Sequence, residues 1–145
     1  MSKSNATEND FVKFVFNNVA MPSYGATLQL NFHTADPGEA GTATTFEPTA
    51  TNYVAQTVSR DGAGWVICDS DGTPNADGAC AKSAVTVTFP EIESGFAGTE
   101  TWTHGSVSVI ATGQILYSGA LTQPIITSAL STPLFPAGTV LFREE

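Results

Sequence analysis

Eight short runs of alternating polar and apolar residues, each closed by turn chemistry, constrain this chain to a β architecture. Leu28, Leu30 and Phe32 alternate with Gln29, Asn31 and His33, the period-two pattern of a half-buried strand. Comparable runs lie at Tyr53 to Ser59, Gly64 to Cys68, Ala84 to Phe89, Thr101 to Ala111, Gln114 to Ser118, Ile125 to Ala129 and Thr139 to Phe142. Between them stand Asp36-Pro37-Gly38, Asp61-Gly62, Asp71-Gly72-Thr73-Pro74, Ser94-Gly95, Thr112-Gly113 and Pro136-Ala137-Gly138, residues that supply the tight dihedrals of turns. Strands at this spacing predict an antiparallel β-sandwich or barrel, jelly-roll-like in outline. At 145 residues the chain supports one core, so residues 1–145 are expected to form a single domain.

The first twenty residues follow a different rule. Val12, Val15, Phe16 and Val19 recur at helical spacing beside Phe11 and Phe14, and no Gly or Pro interrupts before Pro22. Thr7 and Asp10 resemble a capping box with a shortened acid, and Glu8 and Asp10 suit the positive end of a helix dipole. One amphipathic helix is therefore predicted over residues 6–19, ahead of the β region at 26–143. Its wide aromatic face must lie against the sheet or against another chain. Phe11, Phe14 and Val15, with Phe46 of a long loop at residues 34–50, are the candidate partner-interface residues. That loop is expected to run over the surface or reach a neighbour.

Charge and cysteine content narrow the function classes. The net charge of −9, from 14 acidic and five basic residues, is the wrong sign for binding a phosphate backbone, so no nucleic-acid partner is expected. No run approaches the 18 apolar residues of a membrane span, and the start Met1-Ser2-Lys3-Ser4-Asn5 lacks the profile of a secretory signal. Synthesis in a cytoplasm, with no membrane partner, is the expectation. Two cysteines, Cys68 and Cys80, are too few for a disulfide scaffold, but they bracket a second long loop at residues 69–78. They are a candidate disulfide, with free buried thiols as the alternative.

Reactive constellations are sparse. His33 and His104 are far from any Gly-x-Ser-x-Gly elbow, and polar strand histidines explain both. Glu91 with Glu93, or Asp36 with Glu39, could be proposed as paired carboxylates, but acids in loops are simply solvated. The zinc-ligand spacings and the phosphate-loop pattern are absent. The most suggestive stretch is the 69–78 loop, where Asp69, Asp71 and Asp77 offer hard oxygen donors of the kind calcium takes. It lacks the terminal bidentate Glu of a calcium loop, so a solvated turn is the preferred reading and no cofactor is expected. No catalytic residue is assigned, and the chain is read as a non-enzyme.

Five segments in order carry a resemblance: Ser2 to Asn18 (SKSNATENDFVKFVFNN), His33 to Gly41 (HTADPGEAG), Thr86 to Pro90 (TVTFP), Leu116 to Thr122 (LYSGALT) and Phe135 to Phe142 (FPAGTVLF). Together they resemble a family of small virion proteins of tailed bacteriophages, labelled tail fibre, minor capsid or capsid decoration proteins. The 68–80 segment, and Asn52-Tyr53-Val54-Ala55 after the long loop, depart from the family's pattern. With the chain's small size, the resemblance implies a capsid decoration or cement protein on the outer capsid surface, contacting the major capsid protein and itself as a homotrimer. The alternative it implies is a tail-associated fibre or adhesin that touches host glycan, with Trp65, Trp102 or Tyr53 as stacking residues.

Overall fold

The computed structural model describes residues 2–69, 71–76 and 78–143. The order of elements is β1 (Ser2–Lys3), α1 (Asn5–Asn17), β2 (Thr27–His33), β3 (Gln56–Ser59), β4 (Trp65–Cys68), β5 (Cys80–Ser83), β6 (Val87–Thr88), β7 (Thr99–Val109), β8 (Ile115–Ser128), β9 (Leu134–Phe135) and β10 (Leu141–Arg143). They form a five-stranded sheet β1-β8-β7-β2-β3, a three-stranded sheet β10-β5-β4 and a two-stranded sheet β6-β9. The pairings are antiparallel. The fold is a β-sandwich with one N-terminal helix; the sheets do not close into a barrel.

One apolar core joins the sheets. Leu28, Leu30 and Phe32 of β2 stand opposite Val109, Val107 and Gly105 of β7, so all six share a face. Against it pack Val87 of β6, Phe89, Ile92 and Phe142 of β10. Phe32, Phe89, Trp102 and Phe135 form a ring cluster with centroid separations of 4.9 to 6.0 Å. Such offset and edge contacts add to the burial of the rings themselves.

The opposite face of this sheet is not the solvated one that alternation predicts. Asn31, His33, Ser106 and Ser108 are all buried. The 34–50 loop folds back over them instead of reaching outward: Thr34 N donates to the Phe46 carbonyl at 2.9 Å and Ala43 N to that of Gly113 at 2.9 Å. A polar row can be buried here because its members satisfy one another. Asn31 Nδ2 donates to Ser108 Oγ at 2.8 Å, and His33 Nε2 meets Ser106 Oγ at 2.7 Å.

Several boundaries differ from the periodicity. The two expected runs at 114–118 and 125–129 are one long strand, β8, which keeps its pairing with β7 by two register shifts, at Trp102/His104 and Val107/Ser108. β1 pairs its two residues with Tyr117 and Ser118, too short a segment for any period to reveal. The helix begins one residue early, because Ser4 is the cap: its hydroxyl accepts from Thr7 N at 3.3 Å. It ends at Asn18, whose left-handed φ of 54° closes the last turn.

Candidate interaction surface

The helix is tied to the domain at one end and bare at the other. Thr7, the buried residue of α1, donates from Oγ1 to the Ile115 carbonyl at 3.2 Å, and Ser4 Oγ donates to the same oxygen. Asn5 N donates to the Glu39 carbonyl at 3.0 Å, and Gln114 Nε2 to Asp10 Oδ2 at 3.1 Å. Beyond Asp10 the helix is largely in solvent, with Lys3 Nζ of β1 lying 5.8 Å from the centre of the Phe11 ring: Phe11 and Phe14 are 54% and 51% exposed, Phe16 is 78% exposed, and Val12 and Val15 are about half exposed. The wide apolar face therefore does not enter the chain's own core. At 3.6 residues per turn, Phe14, Phe11, Val15, Val12 and Phe16 sweep an arc of roughly 200°, twice the usual apolar stripe of a surface helix. Phe46, whose carbonyl accepts from Thr34 N across the pinned loop, is also exposed, with φ of 53°.

A second apolar feature lies where the two larger sheets part. A groove of about 560 Å³ is walled by Leu28, Val107 and Leu116 on one side and by Trp65, Cys80 and Phe142 on the other. Arg60, Asp61 and Arg143 stand at it as well. Two of the chain's five basic residues thus border one apolar groove in a strongly acidic protein. Its volume falls within the range of ligand-sized sites, about 300–1,000 Å³.

The remaining candidates are spent on structure. His33 and Ser106 make the contact of a nucleophile and its base, yet both are fully inaccessible, and the other ring nitrogen of His33 meets the Thr45 carbonyl at 2.7 Å. Because a carbonyl only accepts, Nδ1 carries the proton and Nε2 accepts from Ser106. Burial lowers the His33 pKa, opposed by the Thr45 carbonyl. His104 pairs with Thr103 Oγ1 at 2.9 Å, away from any such contact. Trp102 is fully buried, and the Tyr53 hydroxyl, half-buried in the same cluster, accepts from Phe32 N at 2.8 Å, so neither offers a face to a sugar. Trp65 is half-buried against Phe142 in the groove wall.

In the 69–78 loop the acids hold the turn. Both Asp69 oxygens accept from Asn75 Nδ2, at 3.0 and 3.2 Å, and Asp71 Oδ1 accepts from Thr73 N at 2.8 Å. Asp77 lies outside the described residues, and among the described residues no three His, Cys, Asp or Glu side chains gather to hold a metal. Cys68 and Cys80 face each other in the β4–β5 register, with Cα atoms 4.9 Å apart, and are joined in a disulfide.

One residue that sequence reasoning missed is Glu100. Its carboxylate accepts from Thr49 N and Oγ1 at 2.8 Å each, from Ala50 N at 3.2 Å and from Trp102 Nε1 at 2.9 Å. It pins the end of the long loop to the core. Desolvation raises its pKa, but these donors together hold it below the usual carboxylate value. No local pattern marks it, because its loop partners Thr49 and Ala50 lie about fifty residues away in sequence.

Comparison with known families bears on what a domain with such surfaces is. The profile of the family described as Podophage GP4 fiber I protein gp80 matches residues 2–143. The chain belongs to that family. It is accordingly a phage virion structural protein, and the match spans α1 as well as the sandwich. No curated protein matches the chain.

Proposed function

We propose that this protein is a non-enzymatic subunit of the virion exterior, held in its assembly through α1. The observation that carries this reading is the helix itself: hydrogen bonds fix its first turn while its aromatic face stays in solvent. Keeping five large apolar side chains wet is costly, at about 25 cal/mol per Å² of apolar surface left uncovered, and a partner that covers them recovers that energy. The rest of the molecule serves as a rigid support: a closed aromatic core, a satisfied polar layer and a stapled hairpin. The reading assigns it no cofactor, calcium included.

The description of its family as a fibre protein supports a place on the tail. A second position is supported by the compact form: a small β-sandwich suits a decoration protein that sits on the major capsid protein as a homotrimer. Cryo-microscopy of the intact particle separates the two. Repeated copies at the tail are the expected result, copies over threefold positions of the shell would favour decoration, and particles that lack the chain altogether would overturn the proposal.

A further inference from the structure

We infer that the apolar face of α1 on one copy docks into the groove between the two larger sheets on a second copy. The inference rests on the reading that α1 is the assembly element, and it names the occupant. The helix cannot serve its own groove, because Ser4, Asn5, Thr7 and Asp10 tie its first two turns to Ile115, Glu39 and Gln114. The groove and the helix therefore need a neighbour each, and they match in three respects. Both are apolar: the groove walls are Leu28, Val107, Leu116, Trp65 and Phe142, and the helix offers Phe11, Phe14 and Phe16. They are complementary in shape class, a convex helix and a concave slot, the arrangement by which amphipathic helices are commonly bound.

They are also complementary in charge. The last turn of α1 carries no basic residue, so the negative end of its dipole is uncompensated, while Arg60 and Arg143 border the groove. Lys13, the single base in the helix, projects roughly 160° away from Val15 at the middle of the apolar arc and so faces away from the groove. A contact in which one surface is given and a different one received is head-to-tail. Repeated around an axis it closes into a ring, which is one route to a trimer.

The test uses the full-length protein with its disulfide intact, followed by native mass spectrometry and sedimentation over a concentration series. A helix variant, Phe14→Ser with Phe16→Ser, and a groove variant, Arg60→Glu with Arg143→Glu, each change exposed side chains. Ala81→Trp serves as a charge-neutral groove variant. Each is expected to weaken self-association roughly tenfold or more per truncated anchor, with an unchanged circular dichroism melt. Mixing helix and groove variants should restore a one-to-one dimer, because the intact helix of one meets the intact groove of the other. A wild-type protein that stays monomeric throughout would overturn the inference, as would association that survives both variants. A mixture that fails to recover would also overturn it, since helices bundled with one another cannot complement. Any of these results obtained with a chain that still enters particles would remove the self-docking and leave the proposed function standing.

Discussion

Two side chains show how the long loop is held, and both couple the fold to pH. Burial holds the His33 pKa below that of a free imidazole in the folded protein. Unfolded, it takes a proton below about pH 6.5, so stability is complete above that pH and falls as pH is lowered through it. Glu100 acts lower on the scale: its folded pKa lies below the unfolded value near 4.3, so its contribution is present above that value and is lost as pH falls further. Denaturant melts from pH 8 to pH 3 should therefore show two successive declines. His33→Gln is expected to flatten the first and Glu100→Gln the second; a profile unchanged by either variant would contradict these assignments. Neither role was legible in sequence. Alternation placed His33 on the polar side of β2, but only the returning loop decided that this side is dry.

At the scale of elements, the β4–β5 hairpin is the clearest case of a local device. Its ends are joined by Cys68 and Cys80 across twelve residues of sequence, and Gly72 O accepts from Lys82 Nζ at 2.6 Å. A cross-link closing so short a loop restricts the unfolded chain, worth about 3 kcal/mol at this length. Reduction is expected to lower unfolding stability by that order, read from urea melts with and without dithiothreitol, and an unaltered midpoint would argue against the bond. The bond forms only away from a reducing cytoplasm, so its gain belongs to the released particle. The hairpin's cysteines and Asp-Gly turn could be read from the sequence, as could β2, β4 and the helix. β8 could not be read as one strand, since its middle, Gly119 to Pro124, lacks a clean alternation, and Leu121 to Pro124 fall in the register shift between its two stretches of pairing with β7.

For the molecule as a whole, the three sheets meet in one apolar cluster, with Phe142 of the smaller sheet packed in the same core as Leu28 and Val107 of the larger. Elements that share a core lose it together, so heat or urea should unfold the chain in one transition with coincident fluorescence and circular dichroism curves. A separate early transition for the β10-β5-β4 sheet would show instead that the groove marks a boundary between two cooperative units. The β class, the turn positions, the aromatic helix, the acidic balance and the phage resemblance were determined by the sequence alone, because each follows from residues close together or from composition. Where the helix face points, which polar face is buried and that a groove opens between sheets were decided only by tertiary structure. Those outcomes depend on contacts such as Thr7 with Ile115 and Glu100 with Thr49, whose partners are brought together by the fold and not by spacing along the chain.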